Sequence, residues 1–264
     1  VKESRPEHWQ RFWEEADDLE LADVYGTDGR MVREVAGLGA LAGRRILEVG
    51  AGTGRDAVEL ARRGATVVTV DYVAGSLGLT RRAAAAARVA IATVCGDGLT
   101  LPFDDAAFDI VFHQGLLEHF REPSRLLREN ARVLRPGGFL VVDVPQTFHY
   151  YTVGKQLLIR LGRWFAGWET QYTIGQLERR VSEAGLEPVR AYGDWMTPGL
   201  WYRGLRKLLL KRGVRLPMYP APLPVVGGLA ARARDAFART RLALYTTPTI
   251  GVVGRKPERR REAE

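Results

Sequence analysis

The chain has 264 residues, 46% hydrophobic and 27% charged, enough to bury the core of one large α/β domain and far from collagen-like or disordered composition. A single cysteine, Cys95, excludes a disulfide within the chain and suits a reducing compartment; no apolar run approaches the roughly 18 residues of a spanning helix. The net charge of +8 is uneven: residues 199–264 hold 15 Lys and Arg against 4 Asp and Glu, residues 1–198 hold 24 against 27.

In chain order, residues 1–7 lack the apolar core of a signal peptide, which makes the expected location cytoplasmic. Trp9, Phe12 and Trp13 form an aromatic stripe at helical spacing within 6–25, read as a helix packed on the domain flank or as a lid over a ligand pocket. A second helix is predicted over Gly29–Leu41. Ile46–Val49 is a short apolar strand ending in Gly50-Ala51-Gly52-Thr53-Gly54, followed at once by a helix over Arg55–Arg63. Glycines at alternate positions allow positive φ and close approach of backbone to a ligand, and the helix behind them turns its N-terminal N–H groups to the loop. Glu48, just before the glycines, is placed to meet a ligand ammonium or hydroxyl.

A second strand, Ala65–Asp71, ends in an acid 21 residues after Gly50, the span of one βαβ unit, where a carboxylate can accept from a ribose diol. Tyr72 next to it can lie against a base. A helix over Gly75–Val89 leads to a third strand, Ala90–Cys95, and to Gly96-Asp97-Gly98; Asp97 is either an adenine acceptor or a turn former. The fourth strand is Ile110–His113, with Gln114 to Phe120 crossing its carboxyl end. A helix over Pro123–Leu134 stops at Arg135-Pro-Gly-Gly138, read as a hairpin-like turn before a fifth strand, Phe139–Val144. Strands alternating with helices at this rhythm predict a doubly wound parallel sheet, with ligands beyond the carboxyl ends of its strands.

Beyond Asp143 the pattern loosens. Two basic amphipathic stretches, 154–168 and 199–212, flank a helix over Thr173–Ala184 and a strand near Pro188–Tyr192. A proline-rich link at 216–224, a helix over Gly228–Leu242, a last strand at Thr249–Gly254 and a charged tail at 257–264 complete the chain. The whole is read as a single domain: N-terminal helices or lid (1–43), cofactor core (44–145) and helical cap insertions (146–172 and 195–245).

A dinucleotide loop needs G-x-G-x-x-G/A, and the third glycine position here holds Arg55, too large for close helix–strand packing, which disfavours NAD. The alternating loop with Glu48 in front instead suits an amino-acid moiety lying across the turn. Together with Asp71, Asp97-Gly98, Leu101–Val111, Leu117-Glu118-His119 and Leu134–Gly138, it resembles the class I S-adenosylmethionine-dependent methyltransferases, over about residues 45–145. That resemblance implies a Rossmann-like seven-stranded sheet with its last strand antiparallel and S-adenosylmethionine as cofactor. It further implies Glu48 and Gly50 to Gly54 around the methionine part, Asp71 on the ribose, Asp97 and Gly98 at the adenine, and His113 with Gln114 beside the sulfonium.

Methyl transfer from a sulfonium is an in-line displacement governed by positioning, and a base is needed only when the acceptor holds its proton near neutral pH. His113 and His149 are the candidate bases or pocket residues, with His119 weighed as structural. No His/Cys/Asp set has metal-ligand spacing, no Asn/Asp-Pro-Pro-aromatic motif follows the fourth strand, and Cys95 stands at a strand end unsuited to a nucleophile. The acceptor is expected to be a small molecule, glycan or lipid-type compound methylated at oxygen, with a peripheral membrane contact through 154–168 and 199–212. An RNA methyltransferase using the basic C-terminal region and a non-catalytic cofactor-binding membrane-surface module are the alternatives.

Overall fold

The computed structural model describes residues 6–15, 29–164, 166–195, 199–210, 212–217, 233, 236–237 and 240–258. The rest of the expected 6–25 helix, most of the 216–242 link and helix, and the tail beyond 258 lie outside the described residues. Seven strands form one sheet in the order β3-β2-β1-β4-β5-β7-β6: β1 Arg45–Val49, β2 Thr66–Asp71, β3 Ile91–Cys95, β4 Phe108–Gln114, β5 Leu134–Pro145, β6 Glu187–Asp194 and β7 Thr249–Arg255. β7 runs antiparallel to both neighbours, and the remaining pairs are parallel.

The strands form where Val, Ile and Leu run without break, as a sheet covered on both faces requires. One core unites Val111, Val142 and Val252 with the helices α5 (Pro123–Val133) and α7 (Ile174–Glu183). The other packs Ile46, Ile110 and Phe112 against α2 (Arg30–Ala36) and α3 (Arg55–Arg62). Among the described residues the remaining helices are α1 (Pro6–Glu15), α4 (Ala74–Ala87), α6 (Tyr150–Arg160) and α8 (Leu200–Leu210). α1 packs against α4. Thr173 caps α7 by a reciprocal box with Gln176, the S/T-x-x-E/Q pattern.

One expectation is corrected. Arg135 to Gly138 is no hairpin-like turn: β5 begins at Leu134, directly after α5, and runs twelve residues through both glycines. Gly138 is needed there because a Cβ would stand 2.8 Å from the Asp109 carbonyl oxygen. The expected 228–242 helix falls mainly on undescribed residues; its end is a 3-10 turn, Arg241–Tyr245.

A buried ion pair fixes the N-terminal part on the sheet. Arg30 on α2 donates to Asp143 of β5 at 2.8 Å and reaches Asp194 at the end of β6. Burial pushes the Asp143 carboxyl up to about 6 against the pull of Arg30. Among the described residues no helix is long and apolar enough to cross a membrane.

Candidate active site

The carboxyl ends of β1, β2 and β4 open into a cavity of about 460 Å³. Its floor is the loop between β1 and α3. The Gly50 N–H donates to the Val70 carbonyl at 2.7 Å and the Gly54 N–H to the Ala51 carbonyl at 2.9 Å, winding the loop into a tight turn. Gly50, Gly52 and Gly54 all have φ between 53° and 69°, the left-handed region in which a side chain is strained. Space is equally restrictive: a Cβ on Gly52 would lie 2.9 Å from the Trp13 ring, and one on Gly54 would lie 2.4 Å from Thr80.

Asp71 holds this loop to the end of β2. Its carboxylate accepts from the Gly52 N–H at 3.1 Å and from the Val73 N–H at 2.9 Å. Burial raises its pKa, opposed by those backbone hydrogen bonds. Glu48 lies against the same cavity with one carboxylate oxygen buried and lacking a partner. Its pKa stands well above the ordinary range, first through burial and then through the neighbouring Asp56. A buried acid of this kind regains its charge when a cation comes beside it. Gln114 brings a second buried, unpartnered oxygen to the cavity. Tyr72 and Asp97 complete the side next to β2 and β3; Asp97 accepts from the Leu99 N–H at 2.9 Å, making the turn that was its alternative reading.

Trp9 and Trp13 of α1 also line the cavity, and the Trp9 ring meets the His119 ring edge-to-face at 4.8 Å. The aromatic stripe thus both packs on α4 and turns Trp9 and Trp13 toward the cavity. The stretch after β4, Gly115, Leu116, His119 and Phe120, supplies the opposite wall. These lining residues, with Arg55 and Asp56, stand outside the set expected from sequence. Their signal was position: each lies within a few residues of a strand's carboxyl end or at the start of α3.

Four expected site residues lie elsewhere. His113 is fully buried, both ring nitrogens lack a partner, and it does not line the cavity. On β4 it is followed by Gln114 on the opposite face, so only one of the two can reach the cavity. Burial drives its pKa down to about 3, leaving a neutral ring. Gly54 and Gly98 serve packing: Gly54 lies against Thr80, and a Cβ on Gly98 would meet Leu126 and Val49 at 3.1 Å. His149 is the N-cap of α6, its Nδ1 accepting from the Tyr151 N–H at 3.3 Å, and it too lies off the cavity.

A second polar group lies behind the cavity wall. Lys155 of α6 pairs with Glu169, both buried, and Trp164 donates its indole N–H to the same carboxylate. Gln156 donates to the Glu169 carbonyl at 3.1 Å, and the Thr170 N–H to the Glu118 carbonyl at 2.8 Å. Burial and the Glu169 charge raise the Glu118 pKa. Burial lowers that of His119 to about 4. α6 is thereby fastened to the Glu118-His119 segment.

Residues 47–142 match the family described as methyltransferase domain. With the sheet order and the glycine loop, this match makes the cofactor-core part of the chain similar to a methyltransferase domain. Over 134 residues the chain is 39% identical to the demethylmenaquinone methyltransferase of Mycolicibacterium paratuberculosis, a match covering 50% of this chain and 55% of the relative. The chain thus spans about half the length of the curated relatives it matches. A putative sarcosine dimethylglycine methyltransferase from Galdieria sulphuraria shares the fold with a TM-score of 0.63 at 20% identity, covering 88% of this chain and 86% of the other. A protein described as a 4+2 cyclase, SpnF, is similar at a TM-score of 0.62 and 24% identity, over 87% and 81% of the two chains. The same architecture therefore carries proteins named for different reactions, and this chain must be read from its site.

Proposed function

We propose that this chain binds S-adenosylmethionine in the cavity at the ends of β1, β2 and β4 and transfers its methyl group to a small-molecule acceptor of glycan or lipid type. The observation that carries the reading is the buried Glu48 Oε2, left without a partner at the mouth of a glycine loop that Asp71 braces from below. An amino-acid ammonium is the group that satisfies Glu48. Backbone at Gly50 to Thr53 lines the side along which the methionine chain would run, Asp71 retains lone pairs for a ribose diol, and Tyr72 with Asp97 flanks the adenine. The unpartnered Gln114 oxygen and the Trp9 and Trp13 rings close the remaining sides and exclude water.

The bound cofactor supplies a methyl group on a good leaving group. The chain's task is to hold the acceptor in line with it, and such positioning contributes roughly 7–11 kcal/mol in favourable cases. A base is not built into this cavity from His113, which stays neutral in the core, nor from His149, whose Nδ1 is engaged in the helix cap. The lipid-type acceptor is favoured because the relative at 39% identity is named for demethylmenaquinone. Oxygen as acceptor atom remains part of the proposal and is read from the product.

Calorimetry with S-adenosylmethionine and S-adenosylhomocysteine tests the cofactor half: micromolar-range binding is expected, and absence of binding to both sinks the reading. Incubating cell extract with methyl-labelled cofactor and identifying the labelled compound tests the acceptor half. Label in RNA alone would overturn it.

A further inference from the structure

β5 and β6 deliver their chains to one place: Pro145 and Asp194, the last residues of the two strands, both stand in register with Thr249 of β7. From this edge, the carboxyl edge on which the cavity opens, each strand leads into a helix with an apolar outer face. On α6 the inward side is Thr152, Lys155 and Ile159, all buried. Its outward side is Tyr150, Val153 and Leu157, continued by Leu161, at spacings of three, four and four residues and 58–65% exposed. On α8, Trp201 (73%), Leu205 and Leu208 repeat the pattern, while Tyr202 and Arg206 bond the carbonyls of Pro217 and Leu216. A helix that only packs on a globular domain shows water a polar face. These two show it leucine, valine and aromatic rings, and the Phe148 ring beside Tyr245 extends the same rim.

The charge around the rim has one sign. Residues 144–168 contain no Asp or Glu, nor do residues 195–234. Arg160, Arg163, Arg212 and Arg215 are exposed, whereas Lys155 is committed to Glu169. Aliphatic residues to enter an acyl layer, Trp and Tyr for the headgroup level and arginines for anionic groups make up the composition of an interfacial surface. An RNA would find phosphate contacts here but gain nothing from valine and leucine between them.

We propose that α6 and α8 together form a docking face for an anionic phospholipid bilayer, which sets the mouth of the domain against the membrane. The inference deepens the reading of a lipid-type acceptor, yet docking is measurable without turnover. Flotation with vesicles of phosphatidylcholine containing phosphatidylglycerol is expected to carry the protein up, and vesicles of phosphatidylcholine alone to carry much less. V153E/L157E on α6 and W201E on α8 are each expected to lower partition into the mixed vesicles roughly tenfold or more. All three positions are exposed and off the cavity, and S-adenosylhomocysteine affinity, measured on the same samples, reports that the variants are folded. Absence of flotation with the mixed vesicles overturns the proposal, as does flotation untouched by both variants. Concentration-dependent self-association that both variants abolish, seen by sedimentation without vesicle binding, overturns it in favour of an interface between copies. Loss of cofactor binding in the unmodified protein instead sinks the methyl-transfer reading and leaves docking to its own result.

Discussion

Residues 44–145, which build the cavity, and residues 146–245, which follow it, place their apolar side chains differently. In the first region most Val, Ile and Leu of the strands are buried. In the second, α6 and α8 expose several leucines each and bury a lysine–glutamate pair. The lesson is that the cavity half is held by close packing around a fixed turn, whereas α6, beyond β5, is fastened in good part by polar ties. Four changes break or sharpen that contrast.

The largest effect is expected at the polar tie. Lys155→Met strands the Glu169 carboxylate in a buried site, and breaking such a pair costs about 3–5 kcal/mol. Limited proteolysis should show 146–172 cleaved first while cofactor affinity changes less. Equal loss of protection across the β-sheet would mean the two regions form one cooperative unit. Gly54→Ala tests the packed side: at φ 64°, with Thr80 2.4 Å from the new methyl, overpacking and strain together cost about 2–3 kcal/mol. Urea denaturation measures it, and a neutral result would mean that the loop can shift.

Asp71→Ala removes two buried acceptors from the glycine loop and, on the proposed function, the ribose contact. Roughly 100-fold weaker binding of S-adenosylhomocysteine is expected from hydrogen bonds to a charged group. Calorimetry that finds less than a threefold change would remove Asp71 from the site. The smallest effect is in acid. Burial holds His113 down to about 3 and His119 down to about 4, against an ordinary histidine value near 6.5. As pH falls below 6.5 the unfolded chain takes up protons that the folded chain refuses, so stability drops by about 1.4 kcal/mol per pH unit for each ring. His113→Leu should remove about 1.4 kcal/mol per pH unit of acid destabilisation relative to the unmodified protein between pH 6.5 and 4.5 in urea titrations; no difference between the two would show His113 titrating normally.

Much of the cavity half was legible before any coordinates. Runs such as Thr66–Asp71 and Phe108–Gln114 are buried on both faces, so composition alone marks them as strands, and alternating glycines mark a turn that no other residue enters cheaply. The βαβ spacing then brings Glu48, Asp71 and Asp97 to one sheet edge. His113 lies in the core because strand residues alternate faces, and a one-residue difference from Gln114 separates cavity from core. The turn expected at Arg135–Gly138 is an irregularity inside β5: β4 pairs with Leu134 and with Phe139 and skips the four residues between, where Gly137 takes φ 74°.

What the sequence by itself determined is therefore the sheet, its glycine turn and the acids around it, since these follow from local chemistry and from short, regular connections. Only the tertiary structure decided that Trp9 and Trp13 close over that turn, that Lys155 is an internal tie and not a surface charge, and that α6 and α8 leave one edge with their apolar faces outward. Each of these depends on which of two possible faces a helix turns to its neighbour. In a helix with apolar residues on both faces, periodicity names both and chooses neither.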